Sequence, residues 1–373
     1  MKKMTKIFVA VAMLATSLLA MADNEPFITK VYDFLPAPGQ FVNTLPVCNA
    51  GETSVDVLKR AETALCGYYD DGDMIYKPGM VSLGSYGGYV VFGFDHPVVN
   101  VAGDYDLQIF GNSFAGSSEP GIVMVSYDTN GNGLPDDAWY ELAGSEYSSA
   151  KTQHNFTITY YKPAASTDAI RWTSNDAIAD STSGTVDRNS FHQQSYWPLW
   201  AEGETLTFTG TKLCNNAYDT SGQGTYWVQT ARAWGYVDNL KDYDPYSGTE
   251  YDAATMNRGF KLDWAVDEKG TPVVLPKVHF VKVYNAMNQM CGWLGETSTE
   301  VAGAIDFHPQ AEAVETAGDA NADGKVDVSD VTTVINLILG QNAVKYNPVA
   351  ADANADTKVD VSDVTTVINL ILN

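Results

Sequence analysis

The chain runs to 373 residues, 45% hydrophobic and 12% aromatic with 18% charged, a composition that excludes a disordered chain or a coiled coil. At a prior of ~150 residues per domain this length argues against a single small module. Forty-six acidic against 22 basic residues give a net charge of −24. Such a charge repels phosphate backbones and anionic membrane surfaces, while an excess of carboxylate suits calcium, a hard cation that takes oxygen ligands, with simple solubility standing equally open.

Lys2, Lys3 and Lys6 precede an apolar run from Ile7 to Ala20, which ends in Ala20-Met21-Ala22, the small-x-small pattern of signal-peptidase cleavage. A leader over residues 1–22 is expected, leaving a mature chain from Asp23 with 46 acids against 19 bases, or −27. The run is too short to span a bilayer, and no second apolar stretch of ~20 residues follows it. Export to the exterior or the cell surface is the expectation, and no cysteine stands at the cleavage site to carry a lipid anchor. Cys48, Cys66, Cys214 and Cys291 show no C-x-x-C spacing, which argues against zinc or thiol-redox chemistry. Export allows disulfides, with Cys48 to Cys66 the local pairing, and free buried thiols stand equally open.

From Asn24 to about Pro309 the chain alternates short β-rich runs with Gly, Asn, Asp and Pro. Tyr89 to Phe94, Tyr105 to Phe110, Ile122 to Tyr127, Phe156 to Tyr161, Leu206 to Thr209 and Val278 to Tyr284 are expected strands, and Ser54 to Leu65 is the best helix. Their length, their Val, Ile, Thr, Tyr and Phe content and the turns between them predict a mainly β body, an antiparallel sandwich over residues 23–310. Gly87-Gly88-Tyr89-Val90-Val91-Phe92-Gly93-Phe94-Asp95-His96-Pro97 is followed by Asp104-Tyr105-Asp106-Leu107-Gln108-Ile109-Phe110-Gly111-Asn112-Ser113-Phe114 and Glu119-Pro120-Gly121. These runs resemble the jelly-roll core of bacterial secreted surface proteins. The resemblance covers roughly residues 80 to 145, extends weakly to the late segment from Trp293 to Glu300, and implies a binding sandwich more than an enzyme, with glycan or vitamin ligands.

Between two expected strands, Asp128-Thr129-Asn130-Gly131-Asn132-Gly133-Leu134-Pro135-Asp136 places side-chain oxygens at positions 1, 3, 5 and 9 of a calcium loop. The carbonyl of Leu134 falls at position 7. Position 12 is Trp139, not a carboxylate. An Asn-Gly hairpin explains the turn without explaining the acidic pair at its end, so calcium is the favoured reading. Aromatic density is high between Trp172 and Trp293. Most of these rings are expected in the core, and Tyr196, Trp197 and Trp200 are expected at the surface because Pro198 interrupts strand alternation there. These three are the candidate ligand-binding residues, able to stack on a sugar ring or a flat corrin.

No G-x-S-x-G, H-E-x-x-H, P-loop or G-x-G-x-x-G constellation is present, and no catalytic residue is assigned. Glycosidase chemistry needs only two carboxylates at a set separation, for which Glu119 and Glu141 could serve, so a polysaccharide-active glycoside hydrolase is the first alternative to a binding module. Surface capture of a corrinoid such as vitamin B12 is the second, and a scaffold that binds another protein completes the set.

Ala311 to Ala317, small and acidic, reads as a linker. Beyond it Lys325 to Leu339 reads KVDVSDVTTVINLIL, and Lys358 to Leu372 repeats the same letters 33 residues later. Counting from Asp319, oxygen side chains fall at positions 1, 3, 5, 9 and 12: Asp319, Asn321, Asp323, Asp327 and Asp330, with the Lys325 carbonyl at 7. The second copy supplies Asp352, Asn354, Asp356, Lys358, Asp360 and Asp363 in the same register. Each EF-hand-like loop runs into one helix, whose expected apolar stripes are Val331, Val334, Ile335 and Ile338, then Val364, Val367, Ile368 and Ile371. No stripe precedes the first loop.

This paired loop-helix pattern, over residues 318–373, resembles the type I dockerin domain found at the C-termini of secreted plant-cell-wall enzymes. The resemblance implies a small α-helical domain, calcium as cofactor and a cohesin-type protein as partner, with Val328, Ser329, Val361 and Ser362 at the recognition positions. Two departures stand out. Thr357 occupies the loop glycine position, where φ is positive. Position 12 is Asp in both copies, shorter in reach than Glu. A secreted β-sandwich that binds a glycan-type ligand and is docked through its tail in polysaccharide capture or degradation is the function expected.

Overall fold

The structure is a computed structural model that describes residues 24–70, 75–76, 79–178, 181–341 and 343–373. The expected leader lies outside the described residues. Ten strands build the two principal sheets: β1 Lys30–Leu35, β2 Tyr89–Gly93, β3 Gly121–Ser126, β4 Trp139–Leu142, β5 Gln153–Tyr161, β6 Ile170–Ser174, β7 Ser183–Val186, β8 Thr205–Lys212, β9 Ala265–Val266 and β10 Phe280–Asn285. The larger sheet has the order β1-β2-β10-β3-β4-β9 and the smaller β7-β6-β5-β8. Every pairing within them is antiparallel.

Alternation of side chains across a strand explains how these sheets stack. On β3, Val123 and Val125 face one core and Ile122 and Met124 the other; on β10, Val281 and Val283 oppose Tyr284 in the same way. The large sheet is therefore buried on both faces. One face meets Phe156, Ile158 and Tyr160 of β5 with Leu206 and Phe208 of β8, closing the expected sandwich. The other face is covered by helix α1, Ser54–Leu65, through Val57, Ala61 and Leu65, together with short two-stranded ladders. Double burial explains why β2 and β3 read as unbroken apolar runs. The run from Val278 to Tyr284 is split at His279, which lies between the short strand Lys277–Val278 and β10. Tyr105 to Phe110 contributes only Leu107–Ile109 as strand.

Beyond the last body strand, which ends at Asp306, no regular element forms until α2, Val328–Ile338. A single turn, α3 Pro348–Ala351, and then α4, Val361–Leu372, complete the tail. Only Ala320, Val334, Ala351 and Val367 are fully buried in its core. The expected stripes divide: Val334 and Val367 point inward while Ile335, Ile338 and Ile368 are exposed. With so small a core, two parallel apolar rows cannot both be covered. All four cysteines are free thiols, so Cys48 does not pair with Cys66. Burial pushes the Cys66 thiol up to about 12.

Candidate functional site

The three acidic loops share one hydrogen-bond scheme. In each, the position-5 N–H donates to the side chains at positions 1 and 3: Asp323 to Asp319 at 3.0 Å and Asn321 at 2.9 Å, Asp356 to Asp352 and Asn354 at 3.0 Å each, and Asn132 to Asp128 at 3.1 Å and Asn130 at 2.9 Å. The position-6 N–H reaches the second oxygen of position 1, from Gly324 at 3.0 Å, Thr357 at 2.8 Å and Gly133 at 2.9 Å. The position-7 N–H of Lys325, Lys358 and Leu134 donates to position 5 at 3.0, 3.1 and 2.7 Å.

Backbone torsions agree as well. Positions 4 and 6 have φ of 55° and 85° at Ala322 and Gly324, 56° and 72° at Ala355 and Thr357, and 67° and 70° at Gly131 and Gly133. Thr357 thus adopts the left-handed conformation that glycine occupies in the other two loops. That conformation strains a β-branched residue.

The tail loops are closed by their position-12 carboxylates. Asp330 accepts from the N–H of Asn321 at 3.0 Å and of Asp327 at 2.8 Å, and Asp363 from Asn354 at 3.2 Å and Asp360 at 2.8 Å. Each carboxylate keeps further lone pairs for a cation, since two oxygens offer about four acceptor sites. Asp327 and Asp360 at position 9 also cap α2 and α4. Hydrogen bonds from the Ser329 hydroxyl and N–H, and from the Ser362 N–H and hydroxyl, hold these two carboxyls below the usual range. The body loop has no position-12 carboxylate because Trp139 opens β4 there. Instead Asp136 accepts from the Asn132 amide at 3.1 Å and the Asn130 amide at 3.3 Å, and Asp137 stands behind them at 3.5 Å from Asn130.

The expected recognition positions are open to solvent: Val328 is 70% and Val361 69% exposed, with Ser329 and Ser362 beside them.

Placement of Tyr196, Trp197 and Trp200 corrects the sequence reading. They are 0%, 3% and 8% exposed and belong to the core. Tyr196 accepts the Asn189 N–H at 2.9 Å and carries the Arg188 guanidinium 4.3 Å over its ring, while Trp200 stacks on Phe34 at 6.0 Å. The amide of Asn43 draws the segment inward by donating to the carbonyls of Ser195 and Trp197. Pro198 is itself buried, in a stretch between β7 and β8 that forms no strand.

The exposed aromatics lie elsewhere. Phe191 is 73% and Trp293 52% exposed, edge to face at 6.5 Å. Trp293 donates its indole N–H to Thr225 at 3.3 Å, next to the exposed Tyr226, and its carbonyl accepts from the Asn189 amide at 2.9 Å. The Trp227 indole packs against Gly292, where an added Cβ would fall 2.1 Å from the indole nitrogen. The sequence signal for this surface was Gly292-Trp293-Leu294-Gly295, a bulky pair between two glycines with positive φ.

Behind that surface sits a buried acidic group. Glu119, Asp238 and Glu300 have carboxylate oxygens within 4.8 Å of one another. Glu119 accepts from the Gln229 amide and the Ser298 N–H, both at 3.2 Å. Asp238 accepts from the N–H groups of Asn112 and Glu300 at 2.9 Å each. Burial pushes Glu119 up to about 7 and nearby Glu296 to about 8. Asp238 and Glu300 are raised well above the carboxylate range, first by burial and then by neighbouring charge, from Glu119 and Asp242 on Asp238 and from Glu119 and Asp238 on Glu300. Such raised values mean that protons stay on the group at neutral pH. Glu141 belongs to a different neighbourhood, accepting from the Thr211 hydroxyl at 2.6 Å and raised to about 7 by burial.

Residues 317–372 match the model of the dockerin type I domain family. The tail is accordingly a type I dockerin domain, which binds calcium and docks on a cohesin partner. No curated protein matches the chain. No helix among the described residues is long and apolar enough to cross a membrane.

Proposed function

We propose that the chain is an exported capture protein in which a sandwich, residues 23–310, binds a glycan-type ligand and a dockerin, residues 318–373, mounts it on a cohesin partner, with residues 311–317 between them. The observation that carries the ligand reading is the exposed pair Phe191 and Trp293, with the exposed Tyr226 and the half-buried Asn189 beside it. Aromatic faces suit the C–H faces of sugars. The calcium ligands are the ten tail side chains with the carbonyls of Lys325 and Lys358. Asp128, Asn130, Asn132, Leu134 and Asp136 form a third site on the strength of the hydrogen-bond scheme it shares with them. Val328, Ser329, Val361 and Ser362, with the exposed Ile335 and Ile368, form the cohesin face.

A glycan array on the full chain in calcium tests this reading. Trp293→Ala and Phe191→Ala should each weaken binding by ~1 to 3 kcal/mol without shifting the melting temperature of the body. Equal binding by both variants and the wild type sinks it, and uptake of cobalamin in place of any glycan moves the ligand to a corrin. A hydrolase is the second reading, favoured by the proton-retaining Glu119 and Glu296 behind the same surface. Its test is release of reducing sugar that Glu119→Gln abolishes.

A further inference from the structure

We infer that the dockerin is clamped onto the sandwich by Tyr346, and that calcium in the dockerin loops and closure of this clamp are thermodynamically linked. Tyr346 lies between the two repeats and adds to the body as a one-residue parallel bridge opposite Val273. Its N–H donates to the Pro272 carbonyl at 3.2 Å, and its carbonyl accepts from the Val274 N–H at 2.8 Å. The ring packs against the principal core of the body, and the hydroxyl donates to Asp267 at 3.2 Å. A second contact lies at the connecting segment, where Glu315 pairs with Lys277 at 2.7 Å and accepts from the Tyr127 hydroxyl at 3.3 Å. The segment 311–317 that reads as a linker is therefore pinned to the body at Glu315, and the tail beyond it is pinned again at Tyr346.

The link to calcium follows from what flanks the anchor. Asn347, the next residue, donates its N–H to the carbonyl of Ala320, position 2 of the first loop, at 2.9 Å. Its side chain accepts from the N–H groups of Val349 and Ala350 at 3.0 and 3.1 Å, which starts α3. That turn ends at Asp352, position 1 of the second loop. The anchor thus stands between the two cation loops and is bonded into both.

Without a cation the loop carboxylates repel one another, the four-residue core cannot hold the repeats together, and the segment from Tyr346 to Asp352 loses its support. Calcium then favours the closed clamp, and by reciprocity the closed clamp favours calcium. Body and second loop also face each other across a cavity of about 230 Å³ lined by Tyr127, Thr129, Asp137, Asp352, Thr357 and Lys358. Closure leaves Val328 and Val361 exposed, so it is compatible with cohesin docking and sets the direction in which a docked chain presents its ligand surface.

Small-angle scattering and calcium calorimetry on the full chain test the clamp. The wild type in calcium should be compact, and its maximum dimension should lengthen in chelator and, with calcium still present, in Tyr346→Ala. Calcium affinity of the dockerin loops should fall about five-fold or more in that variant, the low end of typical coupling between sites. Circular dichroism in saturating calcium separates an opened clamp from an unfolded tail. The body-side variant Lys277→Glu, which cannot disturb the repeats directly, should open the clamp in the same sense where Tyr346→Ala costs helix. Compact scattering and unchanged calcium affinity in both variants, or a wild type already extended in calcium, overturns the proposal.

Discussion

The sandwich and the dockerin reach order by opposite routes. The body buries both faces of a six-stranded sheet under dozens of apolar side chains, whereas the tail fully buries two alanines and two valines. At roughly 25 cal/mol per Å² of apolar surface, the first route stabilises a fold by itself and the second does not. What closes the difference is the cation. Ten acidic or amide side chains converge on two loops whose backbone N–H groups already point at them, so the tail exchanges hydrophobic burial for coordination.

Removing calcium should give the largest effect and the sharpest contrast. Chelator is expected to abolish the far-UV helical signal contributed by residues 311–373 while the β signal of the body persists. Coincident loss of both, followed by circular dichroism during one titration, would break the comparison.

Next come the buried residues of the body, which should answer as core and not as ligand contacts. Trp200→Ala should cost ~3 to 5 kcal/mol of stability. Lys212 and Asp176, an ion pair at 3.1 Å with both side chains almost wholly buried, should show a similar loss when Asp176→Asn leaves the ammonium uncompensated, ~3 to 5 kcal/mol. Chemical denaturation in calcium measures both, and a tail helix signal that stays in place during body unfolding would confirm the separate origin of the two stabilities.

A smaller effect is expected from pH. Burial raises Glu119 and Glu141 to about 7, so the native state holds protons that the unfolded chain has released. A raised folded value contributes stability that is present below the unfolded pKa of ~4.3 and is lost as pH rises toward the folded one. The melting temperature of the body should accordingly fall between pH 4.5 and 7, and Glu141→Gln should flatten that slope. The dockerin should move the other way. Asp327 and Asp360 are held low, and their stabilising bonds are lost as pH falls.

The smallest effect separates the two repeats themselves. Thr357 sits at φ 72° where Gly324 sits at 85°, and a non-glycine residue there costs ~1 to 2 kcal/mol. Thr357→Gly should raise calcium affinity at the second loop up to about ten-fold and leave the first unchanged. Calorimetry that resolves two equal sites, indifferent to this substitution, contradicts the asymmetry.

Local periodicity and spacing were enough for the tail, because its chemistry is encoded within twelve consecutive residues. The register of Asp319 to Asp330, its copy 33 residues later and the helices that follow are all short-range features, as are the Asn-Gly turn at Asn130 and α1, whose expected span of Ser54 to Leu65 is the observed one. The body strands were also legible by composition, apart from β1, β6 and β7, which carry Lys, Asp, Arg, Ser and Gly among their apolar residues, and the two-residue β9, Ala265–Val266, which is too short to read.

Only the tertiary structure decided which aromatics meet solvent. Nothing in the sequence neighbourhood of Tyr196, Trp197 and Trp200 marks them as buried; the amide of Asn43 and the ring of Phe34, more than 150 residues away, draw the group inward. The same holds for Glu119, Asp238 and Glu300, which are spread over about 180 residues and meet because the segments at Glu119, just before β3, and at Asp238 converge on the short strand Glu300–Val301. Spacing reports on a site when one segment supplies the ligands. A site assembled from distant loops leaves no spacing to read, since its geometry exists only once the sheets have packed.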